Sequence, residues 1–276
     1  MPRPHSDLRG RLANGEPLVG TFCTIPDPSV VEMVASSGFD FVCIDTEHSP
    51  IGRIAVESLV RAADVAGRPA LVRVADNRPE LIAAALDSGA AGVVVPRVDT
   101  AADAERAVRA TRYPPLGERG GYPGRASWYN QDLADYMARA NDELLLVAQV
   151  ESPLAVRNAN AVAAVDGIDA LYAAPGDLSV AIGATGEPLD AALRSVVRAA
   201  RAHRRTAGLF QPDPGRIDQW HADGVGLFFL AADAIFLTEA AAAAARSARN
   251  AGATTTTTPT PQRPPSPFGE SGLRPA

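Results

Sequence analysis

Three polar residues each close a separate apolar run: His48 after FDFVCIDTE, Glu151 after LLLVAQV and Asp177 after IDALYAAPG. Runs of this kind ending in an imidazole or a carboxylate place polar groups at the carboxyl ends of parallel strands, where barrel enzymes carry their chemistry. Glu151 and Asp177, with water and substrate oxygens, make a donor set suited to Mg²⁺, Mn²⁺ or Co²⁺, with His48 beside it as a base. The same carboxylates also read as helix caps, Glu151 before a helix that opens at ESP and Asp177 within PGDLS. His48 alone reads more readily as a structural or exposed loop histidine. Arg73, inside the apolar run ALVRVA, is costly to bury without a partner. It is expected to point into the barrel mouth, towards a substrate carboxylate or an enolate oxygen. Gln149 lies two residues before Glu151 and shares its side of the strand. Asp87, in ALDSGA, is the carboxylate expected to hold the His48 imidazole.

The chain contains no lysine, so its 26 basic residues are all arginine. No side chain can therefore form a Schiff base with a carbonyl substrate, and a keto acid would need a metal or hydrogen-bond donors for activation. A formal net charge of −6, with arginines scattered between carboxylates, excludes nucleic-acid binding as the main role. Cys23 and Cys43 sit inside apolar runs and read as buried thiols. The first residues lack an apolar signal core, and no apolar stretch reaches the roughly 18 residues of a membrane span. A cytoplasmic protein that does not engage a membrane is expected.

The elements that must position these residues alternate. Near-continuous apolar runs at 18–25, 39–47, 70–75, 92–98, 144–151, 168–175, 206–212 and 225–232 are each followed by a helical pattern. Eight such units predict a closed (β/α)₈ TIM barrel over residues 1–250 rather than an open sheet. Residues 113–143 form a long connection rich in Gly, Pro, Arg and aromatics, placed by this reading on the active face. Its glycine-rich GERGGYPG lacks the spacing of a phosphate loop. From 251 to 276 the chain is dominated by Thr, Pro, Ser and Gly and predicts a disordered tail.

Six segments, IDTEHSP (44–50), LVRV (71–74), ALDSGAAGVVVPRV (85–98), YPPLGERG (113–120), AQVES (148–152) and APGDLS (174–179), occur in the order and spacing of one family. Through them the chain resembles the HpcH/HpaI aldolases, metal-dependent class II pyruvate aldolases related to the citrate lyase β-subunit. The resemblance implies a barrel assembled as a homo-oligomer, often a hexamer with the last helix exchanged. It implies a divalent metal on Glu151 and Asp177, His48 as base paired with Asp87, and Arg73 stabilising the pyruvate enolate. Gln149 and Ala174 are implied on the substrate side. The implied reaction is cleavage of a 4-hydroxy-2-oxo acid to pyruvate and an aldehyde. The alternative is a citrate-synthase-like condensation on oxaloacetate in a siderophore or secondary-metabolite pathway, and a further one is a binding protein that retains the pocket. The chain departs from the family at Thr46, where glycine is frequent, and at Ala174, where a Gly-Pro pair is frequent.

Overall fold

The computed structural model describes residues 7–254. Eight parallel strands close in sequential order: β1 (Leu18–Cys23), β2 (Phe41–Asp45), β3 (Ala70–Arg73), β4 (Gly92–Val95), β5 (Leu145–Val150), β6 (Ala170–Ala173), β7 (Thr206–Gln211) and β8 (Val225–Ala232), with β8 pairing back on β1. The expected (β/α)₈ barrel is thus present, with each strand inside its predicted run.

The helices are α1 (Leu8–Ala13), α2 (Pro28–Ala35), α3 (Arg53–Val65), α4 (Pro79–Asp87), α5 (Ala101–Thr111), α6 (Leu133–Glu143), α7 (Pro153–Ala163), α8 (Pro175–Ile182), α9 (Glu187–Ala202), α10 (Ile217–Asp223) and α11 (Asp233–Thr254). Pro at the first turn of α2, α4, α7 and α8 starts each helix where its missing N–H costs nothing. No helix among the described residues is long and apolar enough to cross a membrane.

Alternation along the strands divides the apolar residues between two cores. Val42, Ile44, Val72, Val93, Val95, Leu146 and Ala148 face the helices. Leu18, Phe22, Phe41, Cys43, Leu71, Val94, Val147, Tyr172 and Phe229 fill the barrel. Each fully buried side chain of this size contributes roughly 1.5–3 kcal/mol. Gly20 makes room for one of them, since a Cβ there would come within 2.3 Å of the Phe41 ring. Helix α1, which the sequence reading did not anticipate, adds Leu8 and Leu12 to the barrel core at its N-terminal end. Cys23 and Cys43 are free and buried, and burial pushes both thiols up.

Two compact units divide the chain, one running to Phe236 and containing the whole barrel, the other starting at Leu237. Helix α11 starts at Asp233 and continues to Thr254, four residues into the segment read as tail. Residues 255–276 of that tail lie outside the described residues.

The long connection departs from expectation. It follows helix α5, not strand β4 directly, and so emerges at the N-terminal end of the barrel. Arg125 there pairs with Asp64 and reaches the Ser88 carbonyl, and Arg119 pairs with Asp87, residues at or beside the C-terminal ends of α3 and α4. The segment therefore starts at the end opposite the mouth and packs on the outside of the barrel against α3 and α4. Its QDLADYMARA stretch contributes helix α6, as expected.

Candidate active site

The inward-facing phase of β2 runs Phe41, Cys43, Asp45 and continues in step to Glu47. That of β5 runs Leu145, Val147, Gln149 and continues to Glu151. Strand periodicity thus turns polar residues into the mouth as soon as the apolar layers end. Asp45 and Arg73 are register partners on β2 and β3, both buried. Arg73 donates Nε to Asp45 Oδ1 at 2.9 Å and Nη2 to Oδ2 at 2.6 Å. Its guanidinium also lies 4.4 Å from the Phe22 ring centroid. Such a fork-to-fork pair fixes the guanidinium plane. It leaves Nη1, 3.4 Å from Glu47 Oε2, on the side of the remaining carboxylates.

Asp45 also shapes the loop that carries the histidine. Its Oδ1 accepts the backbone N–H groups of Glu47 at 3.0 Å and His48 at 3.3 Å. Thr46 turns away, its hydroxyl donating to the Arg73 carbonyl at 2.7 Å, so the hydroxyl of this departure from the family pattern is tied back to β3. His48 Nε2 stands 3.8 Å from Glu47 Oε2 and 3.9 Å from Asp177 Oδ1, distances that a water or substrate atom can bridge.

Gln149 is fully buried and donates its amide to Glu47 at 3.2 Å and to Glu151. Glu151 further accepts the Arg97 N–H at 2.8 Å, presented by a left-handed backbone at Arg97 (φ 54°). The cap of α7 is Ser152, whose hydroxyl accepts from Ala155 N. Glu151 is thereby free of the capping role. Asp177, in the first turn of α8, makes no capping bond either. One contiguous set, Glu151–Gln149–Glu47–His48–Asp177, therefore rims the mouth. Below it lies a cavity of about 220 Å³ whose walls include Phe22, Arg73, Tyr172, Ala174, Asp177 and Phe210.

Of the residues singled out in the sequence, His48, Arg73, Gln149, Ala174, Glu151 and Asp177 come together. Asp87 does not. It closes α4 at the opposite end of the barrel, where its carboxylate accepts from Arg119 Nη2 at 2.8 Å. A carboxylate at a helix C-terminus that precedes a strand cannot join residues at strand C-termini of the same chain. The carboxylates beside the imidazole are Glu47 and Asp177 instead. Asp45 and Glu47 stand near His48 in the sequence as well, but strand alternation left open that they point elsewhere; their even spacing from Phe41 and Cys43 is the signal that turns them inward.

The residues fit a divalent cation. Burial, reinforced by the negative charge of Glu151, pushes the Glu47 carboxyl up despite the opposing pull of Arg73 and His48. Arg73 is already matched by Asp45, so Glu47, Glu151 and Asp177 give the mouth more carboxylate charge than Arg73 balances. The Gln149 Oε1 atom is buried without a partner. Among the described residues no group of three His, Cys, Asp or Glu side chains could hold a metal. Two carboxylates completed by water and substrate oxygens are the arrangement on offer.

A closed barrel with acids, a base and an arginine at its strand C-termini defines a TIM-barrel enzyme. The chain belongs to the HpcH/HpaI aldolase/citrate lyase family, which it matches over residues 18–240. It is similar to the hydroxypyruvate/pyruvate aldolase of Roseovarius nubinhibens, at 32% identity over 87% of this chain and 96% of that one. It is similar to the 2-keto-3-deoxy-L-rhamnonate aldolase of Klebsiella pneumoniae, at 37% identity over 83% and 88%. Among solved structures it resembles the citrate synthase SbnG, with a TM-score of 0.81 and 31% identity over 89% of this chain and 98% of that one. The chain is a carbon–carbon lyase of the class II aldolase type.

Proposed function

We propose that this enzyme cleaves a 4-hydroxy-2-oxo acid to pyruvate and an aldehyde, and runs the reverse aldol addition. The single observation that carries this reading is the convergence of His48, the Asp45-braced Arg73 and the Glu151–Asp177 carboxylates on one mouth. Glu151 and Asp177 would hold a divalent metal ion, Mg²⁺, Mn²⁺ or Co²⁺, oriented by Gln149. When bound, the ion supplies Lewis acidity at the 2-oxo acid's oxygens.

The chain's own residues do the rest. Arg73 receives the oxygen that becomes negative as the enolate forms, and Asp45 keeps its guanidinium charged and immobile, so little reorganisation is needed at the moment of reaction. His48, half-exposed at the rim, accepts the proton of the C4 hydroxyl. The C3–C4 bond then breaks, its electron pair passing to the pyruvate enolate while C4 leaves as the aldehyde carbon. The proton held on Nε2 is returned, directly or through water, to C3. Glu47 and Asp177, each within 4 Å of Nε2, stabilise the imidazolium in the interval. Phe22, Tyr172, Ala174 and Phe210 wall the cavity in which the pyruvyl unit sits out of water.

The test is pyruvate release from a panel of 4-hydroxy-2-oxo acids with Mg²⁺, Mn²⁺, Co²⁺ or chelator, alongside Glu151→Ala and His48→Ala. Metal-dependent release that both substitutions lower by at least about 10²-fold is expected. The likeness to a citrate synthase supports one rival, condensation of oxaloacetate with an acetyl-CoA unit. Citrate formation from that pair, without pyruvate release from any hydroxy-oxo acid, would replace the present reading.

A further inference from the structure

A second cavity, of about 620 Å³, opens at the N-terminal ends of β5, β7 and β8, the end of the barrel away from the mouth. Its lining includes Arg9, Arg201, Arg204, Arg205 and His221. Two carboxylates also border it, and both are already engaged. Asp169 is shared by Arg9 at 2.7 Å and Arg112 at 2.9 Å, and Glu16 pairs with Arg11. Arg205 is held by the carbonyls of Ala163 and Val165 and by Asp166.

Arg201 and Arg204 are different. Neither has a carboxylate partner among the described residues, and Arg204 has no side-chain hydrogen bond there either. Arg201 reaches only the Asp223 carbonyl, at 3.5 Å. Arg201 in the last turn of helix α9 and Arg204 just beyond it stand where they could cap its carbonyls, but those are taken by backbone groups: His203 N and Arg205 N donate to Ala200 O, and Arg204 N donates to Arg201 O. The Arg201 side chain is seated on Gly224, where a Cβ would come within 2.7 Å of its Cδ and 2.9 Å of its Nη1. Gly224 has φ +104° and Arg204 φ 56°, so glycine and a left-handed turn bring the two guanidiniums to the same rim. His221 sends Nδ1 to the Val225 carbonyl at 3.1 Å, which leaves Nε2 for another partner.

In a chain of net charge −6, this cavity gathers four arginines against two carboxylates that are both spoken for. We propose that it is a binding site for an anion carrying two or more phosphate groups, of nucleoside-diphosphate size. Planar guanidinium forks match phosphate oxygens in pairs. The volume falls in the range, about 300–1,000 Å³, of pockets that enclose such ligands. A single carboxylate would leave one fork unmatched. The site is separate from the mouth, and its occupancy does not depend on the reaction assigned there.

Isothermal titration calorimetry of the full chain with inorganic pyrophosphate, ADP and citrate tests the proposal, at fixed ionic strength. Saturable binding of pyrophosphate and ADP is expected, each at least about tenfold tighter than citrate. Arg204→Ala and Arg201→Ala should each weaken it about tenfold, and Gly224→Ala, which displaces Arg201, should weaken it as well. Glu151→Gln, at the mouth, should leave it unchanged. ADP tighter than pyrophosphate marks a nucleotide, and equal affinities mark the diphosphate group alone. Either supports the site. No saturable binding of pyrophosphate or ADP, citrate binding as tightly as pyrophosphate, or binding lost in Glu151→Gln but kept in Arg201→Ala/Arg204→Ala, would overturn it. Retained pyruvate release and an unchanged circular dichroism melt show that the arginine variants are folded.

Discussion

Arg73 and Asp45 are the two residues on which both stability and chemistry turn. A buried ion pair is costly to make, and breaking it by removing one charge costs more than the pair is worth. Asp45→Asn removes the carboxylate that grips the buried Arg73 in two places and leaves it only the longer 3.4 Å approach to Glu47. It is expected to lower stability by about 3–5 kcal/mol in urea denaturation. Arg73→Lys keeps the charge but loses the two-pronged grip on Asp45. Its expected signature is a fall of about 10²–10³-fold in kcat/KM for pyruvate release, corresponding to roughly 3–4 kcal/mol of transition-state stabilisation. A titration separates a second residue from the site. Burial pushes the Tyr113 phenol up to about 12 from an ordinary 10.0, against the pull of Arg119. A group raised in the folded state supports folding fully below its unfolded value. The urea midpoint should therefore begin to fall as pH rises past 10.0 and continue to fall to about 12. Tyr113→Phe should remove that part of the loss.

At the scale of elements, turns and strand contacts decide where the reactive groups stand. Ser152 caps α7 by accepting from Ala155 N and also donates to Asp99, which leaves the neighbouring Glu151 to the mouth. Ser152→Ala should cost about 1 kcal/mol of stability. It should also raise the metal concentration needed for half-maximal activity, because the turn that presents Glu151 loosens. Gly92 is the tightest joint between β4 and β5, since a Cβ there would lie 2.2 Å from the Leu145 carbonyl oxygen. Gly92→Ala is expected to cost about 3 kcal/mol, read as a lower melting temperature. The element carrying Asp87 explains why the predicted His48–Asp87 pair is absent within the chain. Helices run antiparallel to strands in this fold, so a helix C-terminus and a strand C-terminus lie at opposite ends.

At the scale of the whole molecule, the barrel carries an acidic mouth at one end and an arginine-lined cavity at the other. The mouth concentrates Glu47, Glu151 and Asp177 around an imidazole, and the far end concentrates arginines. A cation that binds only the folded mouth must stabilise the fold by mass action. At about 100 times its dissociation constant the gain is about 2.7 kcal/mol, which for a barrel of this size raises Tm by about 5–10 °C. Differential scanning calorimetry with Mn²⁺ and with chelator should show that shift in the native chain. It should be absent in Glu151→Gln. A shift of equal size in the variant would place the cation elsewhere.

Much of this was legible along the chain. Eight buried apolar runs separated by helical patterns leave few ways to bury both faces of every strand, so the barrel and its strand positions follow from local sequence. Residues ending those runs, His48, Arg73, Gln149, Glu151 and Asp177, were legible for the same reason. Helix α1 was not, because six residues carry too little periodicity to announce a helix. Asp45 and Glu47 were visible only once the inward phase of β2 was known. The roles of Asp87 and of the 113–143 connection depended on which end of the barrel each occupies. So did the gathering of Arg9, Arg201, Arg204 and Arg205, which come from two distant parts of the chain. Sequence determines which faces must be buried, through hydrophobic periodicity. Closure of the barrel alone decides which distant charges become neighbours, because ion pairs are set by distance in space, not along the chain.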